Sequence, residues 1–126
     1  MTQDELIVEI GRLIAADRKA SAQPWDGYAL IAYYDGSVSK LNGFRYRGAA
    51  PGEPATPEAF ELEDRLDELR EATRVDGKEP WRACVFRIDR GSGKATADFV
   101  YDEAERWHVT PATAADIAER ARPWRR

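Results

Sequence analysis

The chain has 126 residues, is 43% hydrophobic and 33% charged, and carries a net charge of −4. That length suits one domain over 1–126, able to bury roughly two-thirds of its unfolded surface, and the composition excludes a disordered chain. The acidic balance argues against a protein whose main task is gripping nucleic-acid phosphates and is compatible with a basic partner.

The first expected element is a helix over 3–20. Thr2 and Glu5 have capping-box spacing, and Leu6, Ile10, Leu13 and Asp17 form one stripe with Ile7 and Ile14 beside it. Pro24 bars its continuation. Residues 25–34 are aromatic and aliphatic, and Asp35-Gly36 is a strong hairpin signal. The return strand runs from Ser37 to about Arg47, with Phe44 and Tyr46 on one face and Leu41, Arg45 and Arg47 on the other. Gly43 inside it predicts a bulge or a bend. Residues 48–57, with three prolines and two glycines, read as a loop without regular structure.

A second helix is expected from Thr56 as N-cap and Pro57 in the first turn to about Val75, burying Ala59, Leu62, Leu66, Leu69 and Thr73. Pro80-Trp81 then opens a second hairpin, turning at Gly91-Ser92-Gly93. Cys84, Phe86 and Ile88 share a face, as do Ala97, Phe99 and Tyr101. Arg106 to Val109 is expected as one more strand. Thr110-Pro111 starts a last helix to about Arg122, with Ile117, Ala118 and Ala121 as its apolar face.

The order helix, Pro-Trp, hairpin occurs twice, with Pro24-Trp25 and Pro80-Trp81 at the junctions. An old duplication accounts for this, and so does chance reuse of a common helix stop. The expected architecture is α+β, with element order α-β-β-α-β-β-(β)-α. It implies an antiparallel sheet of four to five strands with helices packed on it.

Little in the chain points to catalysis. His108 is the only histidine and Cys84 the only cysteine, so neither a multi-histidine metal site nor an intramolecular disulfide is expected. Cys84 reads as a small buried hydrophobe. Gly91-Ser92-Gly93-Lys94 misses the phosphate-loop pattern at Ile88 and Ala95 and reads as a turn. Asp98 and Asp102 share a strand face, and a hydrolase using them requires burial that splits their pKa values. Arg120, Arg122, Arg125 and Arg126 form a small basic patch at the end of the chain. Trp25 and Trp81 read as core, Trp107 and Trp124 as interface candidates. No run of 18 apolar residues and no basic-then-apolar leader occurs, so neither a membrane span nor a secretory signal is expected.

Charge clustering gives the sharper expectation. The polar faces of the second helix hold Glu61, Asp64, Asp67, Glu68 and Glu71, and Asp102, Glu103 and Glu105 follow the last hairpin. Such a surface is either plainly solvated or a docking site for a positively charged protein. The Pro80-Trp81 strand, the Gly-rich turn and Asp98-Phe99-Val100-Tyr101-Asp102, preceded by an amino-terminal helix and the aromatic strand from Trp25, resemble the YezG-like immunity proteins of bacterial polymorphic-toxin systems. The resemblance implies a cytoplasmic, non-enzymatic antitoxin, without cofactor, that occludes a toxin domain, in many cases a nuclease. The 48–57 loop and the Arg-rich tail depart from that pattern. The alternative is a small binding module with another partner, monomeric or homodimeric through an edge strand.

Overall fold

Residues 1–36 and 38–123 are described by the computed structural model. Helix α1 spans Gln3–Ala16 and opens with the expected capping box, the Glu5 amide donating to Thr2 Oγ1 at 3.1 Å and the Thr2 amide to Glu5 Oε1 at 2.8 Å. It stops earlier than the periodicity predicts. Asp17 is extended (φ −71°, ψ 129°) and its Oδ2 accepts the amides of Lys19 and Ala20, a local turn that competes with helix.

Strands β1 (Gly27–Asp35) and β2 (Val38–Tyr46) form an antiparallel hairpin in unbroken register from Gly27 opposite Tyr46 to Asp35 opposite Val38. Gly43 therefore marks no bulge. The phenol of Tyr28 passes so close that a Cβ on Gly43 would lie 1.9 Å from its oxygen. The 48–57 segment is also more ordered than its composition predicts, for Glu53–Pro54 forms a short strand, β3, on β2. Tyr28 Oη donates to Ala55 O at 2.6 Å, and Thr56 Oγ1 accepts the Gly43 amide, so Thr56 is not the helix cap.

Helix α2 spans Phe60–Ala72 and has no side-chain cap from its own N-cap residue, Ala59. Asp17 instead anchors the residues leading into it: its Oδ1 accepts the amides of Glu58 and of Ala59 itself, both at 3.0 Å. One carboxylate thus closes the turn after α1 and ties down the lead-in to α2. At the far end Thr73 Oγ1 donates to Leu69 O at 2.8 Å and accepts the indole N–H of Trp81, also at 2.8 Å.

Strands β4 (Ala83–Asp89) and β5 (Lys94–Val100) complete one antiparallel sheet of order β3-β2-β1-β4-β5. The expected strand over 106–109 is instead a 3₁₀ turn, Ala104–Trp107, entered through Glu103 in the left-handed region (φ 55°). The turn carries the chain off the sheet edge and buries Ala104 with Tyr33 and Ala83. Helix α3, Ala114–Arg120, is shorter than expected at both ends. Trp124, Arg125 and Arg126 lie outside the described residues, as does Ser37. Otherwise the α+β class, the five-stranded antiparallel sheet and the helix–strand order match the expectation.

Alternation along β1 sorts the core into two layers. Tyr28, Leu30, Ala32 and Tyr34, with Cys84 and Phe86, meet Leu6, Ile10, Leu13 and Ile14 of α1 and Leu62, Leu66 and Leu69 of α2. Ala29, Ile31, Phe44, Tyr46 and Val85 meet Ile117, Ala118 and Ala121 on the other face. Each fully buried leucine on α2 stabilises the helix on the sheet by about 1.5–3 kcal/mol. Arg87 of β4 fixes α3 from below, donating to Ala121 O at 3.0 Å and Arg120 O at 3.2 Å. Tyr46 Oη donates to Ala118 O at 2.7 Å from β2.

The sequence echo is a two-fold arrangement in space. Adding 56 to each residue number carries Leu6, Ile10 and Leu13 onto Leu62, Leu66 and Leu69, and Pro24-Trp25 onto Pro80-Trp81. It also carries Ala16, the last residue of α1, onto Ala72, the last of α2. Leu30 maps onto Phe86, its own partner across the central β1–β4 ladder, so the approximate axis runs through that pair.

Candidate functional site: an acidic helix and an acidic turn

The buried leucines of α2 decide which way its carboxylates point. With Leu62, Leu66 and Leu69 against the sheet, Asp64 and Glu71 fall on the opposite side, Glu61 and Glu68 toward the flank that faces Arg12 of α1, and Glu63 and Asp67 on the flank away from α1. All six are exposed. Between Glu58 and Ala72 seven carboxylates stand against Arg65 and Arg70, a net −5, while the whole chain carries −4. The rest of the molecule is therefore +1, and the entire acidic excess sits on α2 and the Glu58 just before it.

The side chains differ in freedom. Asp67 Oδ1 accepts the Tyr34 hydroxyl at 2.6 Å, Glu68 is ion-paired with Arg65, and Glu71 lies 3.9 Å from Arg74. Glu61 and Asp64 make no hydrogen bond or ion pair among the described residues. Asp67 closes a stack that sequence reasoning missed. The Arg70 guanidinium lies 4.3 Å over the Tyr34 ring, donates to Trp81 O at 2.7 Å, and Tyr34 meets Trp81 edge-on at 5.4 Å. Burial, then the bond to Asp67, raises the Tyr34 hydroxyl above its ordinary pKa. The foot of the acidic face is thus stiffened from below.

The second acidic group is apart from the first. Asp102, Glu103 and Glu105 are exposed on the turn after β5, on the side of the sheet opposite α2. Glu105 is bound 3.3 Å from Arg82. Trp107, expected at an interface, is half-buried against Tyr33 and the α3 layer, with the Arg120 guanidinium 4.6 Å over its ring. The nine candidate residues therefore form two groups facing different ways.

The groups considered for chemistry are also separated. Cys84 is fully buried in the α1–α2 layer, where burial pushes its thiol up to about 12. His108 lies on the other face, stacked on Tyr33 at 5.0 Å and 14°. Asp98 is exposed and ion-paired with Arg87. The Gly91–Lys94 turn spends its amides internally, on Asp89 Oδ1 and Ser92 Oγ. Trp25 and Trp81 are core residues as expected, the first under Arg90 at 3.8 Å.

Among the described residues no three histidine, cysteine, aspartate or glutamate side chains gather as metal ligands, and no helix is long and apolar enough to cross a membrane. The chain matches no protein-family model and no curated protein.

Proposed function

We propose that this protein acts by binding, as a cytoplasmic immunity protein of the YezG-like kind that covers a basic toxin domain with the outer face of α2. The concentration of the chain's acidic excess on one helix carries this reading. A domain that grips phosphates presents clustered arginine and lysine, and a clustered row of carboxylates is complementary to it. The attraction acts over about a Debye length, some 8 Å at physiological salt, and so speeds encounter and sets orientation. Inhibition is steric: the helix occupies the cleft, and no bond forms or breaks.

Rigidity supports the same reading. The three buried leucines, the Asp17 carboxylate and the Arg70 stack hold the helix backbone in place before contact, which lowers the ordering cost of association. The test reads the neighbouring genes for a secreted protein with a variable carboxy-terminal domain and measures affinity for that domain at low and high salt. Exchange of Glu61, Asp64, Glu68 and Glu71 for lysine is expected to weaken binding at least a hundredfold and flatten its salt dependence. Asp67 is left in place because Tyr34 depends on it. Undiminished affinity would remove α2 from the interface.

A further inference from the structure

We infer that the β5 edge, with the flank of α1 above it, is a self-association surface that joins two copies of this chain into a continuous ten-stranded sheet. The inference goes beyond the acidic-helix reading and uses a different face.

The two sheet edges are not alike. On one side β3 is two residues long and contains Pro54, which has no amide hydrogen to offer a neighbour. On the other, β5 runs seven residues from Lys94 to Val100 without proline, pairs only with β4, and has no partner on its outer side among the described residues. Such an edge is a template for another strand.

An open apolar groove of about 370 Å³ follows that edge, between Ile7, Val8, Gly11 and Ala15 of α1 and Ile88 and Ala95 of the hairpin. Val8 is 70% exposed on its rim. Gly11 leaves part of that groove open, since a Cβ there would reach only ordinary contact distance, about 4 Å, from Phe86 and Ala95.

A second copy fits this surface in charge and spacing. If two β5 strands pair antiparallel about Thr96, Lys94 of each stands opposite Asp98 of the other, and Ala95 opposite Ala97. The one strand is its own electrostatic complement. Helix α1 lies over β4 and β5, so two strand spacings separate the α1 helices of the two copies, about 10 Å. That is the distance at which helices pack, and it closes each groove with the other copy's Val8 and Ala15. The arrangement repeats the one inside the molecule, where α1 and α2 lie side by side over the antiparallel β1–β4 pair.

Sedimentation equilibrium on the full chain is expected to give twice the 14.2 kDa monomer mass at micromolar concentration. Val8→Glu and Lys94→Glu, both at exposed side chains, should each raise the dimer dissociation constant about tenfold or more. Asp98→Lys should do the same; because it also gives up the Arg87 ion pair, a thermal melt monitors its fold. The decisive measurement mixes Lys94→Glu with Asp98→Lys. In the mixed dimer both cross-strand positions again join opposite charges, and association is expected to return. A wild-type monomer throughout the micromolar range overturns the inference and leaves the edge to a strand of another protein. Failure of the mixture to associate, or indifference to all three substitutions, overturns it too. Lysine substitutions on the outer face of α2 should leave the dimer intact, so this result and the toxin-binding result stand or fall separately.

Discussion

Removing the Asp17 carboxylate should loosen the molecule at two places at once. Its two oxygens accept four amides, from Lys19 at 3.1 Å, Ala20 at 2.9 Å, and Glu58 and Ala59 at 3.0 Å. Losing the two bonds that lead into α2 costs about 2 kcal/mol at about 1 kcal/mol each, and the turn bond to the buried Ala20 adds about 1 kcal/mol. Asp17→Ala is therefore expected to cost about 3 kcal/mol, a large share of the 5–15 kcal/mol typical of a domain. In urea denaturation the midpoint should fall by about 1.5–2 M for a slope near 1.5–2 kcal/mol/M. Asp17→Asn should cost nearly as much, because its one carbonyl oxygen serves one pair of amides and its NH₂ confronts the other. Hydrogen exchange adds the location: Glu58 and Ala59 amides should lose protection before that of Leu66. A loss below about 0.5 kcal/mol, or uniform loss of protection, would refute the Asp17 carboxylate as the link between the helices.

Two further expectations concern the tyrosines. Gly43→Ala drives a methyl group into Tyr28 Oη and to 2.9 Å from Ala55 O, and should cost about 3 kcal/mol; Tyr28→Phe in the same chain should recover part of it, and strict additivity of the two would refute the clash. Burial raises the hydroxyls of Tyr28, Tyr34 and Tyr46 above their ordinary value of 10.0, so the folded state keeps them neutral where the unfolded state ionises. Their contribution is present in full below pH 10 and is lost above it, with a slope of up to about 4 kcal/mol per pH unit if all three act. Urea midpoints across the alkaline range check this, and tyrosinate absorbance amounting to more than two of the five tyrosines before unfolding would contradict it.

Local rules were legible wherever both partners lie close in sequence. The Thr2–Glu5 box, the leucine stripe of α2 and the alternation in β4 each follow from spacing, and so does the burial of Trp25 and Trp81. The misses share a physical cause, long-range partners. Thr56 reads as a cap until Gly43 claims its hydroxyl, and Asp17 reads as part of a helix stripe until α2 claims its carboxylate. The proline-rich loop gains a strand because Tyr28 and Gly43 hold it from the adjacent hairpin. Segment 106–109 has strand composition, but Ala104 fills the space beneath Tyr33 and pulls the chain off the edge. For the acidic residues the sequence places them on α2 correctly, and only the fold separates Asp102, Glu103 and Glu105 from them.

The two halves of the molecule differ in charge where their helices face outward. Under the 56-residue offset, Ile7, Val8, Gly11 and Ala15 on the flank of α1 correspond to Glu63, Asp64, Asp67 and Glu71 on α2. Equivalent ground on one scaffold is oily and small on the left, ionised on the right. Each half then serves as the other's control: transplanting the four acidic residues onto α1, or the four neutral ones onto α2, rewrites an exterior while the leucines beneath keep their seats.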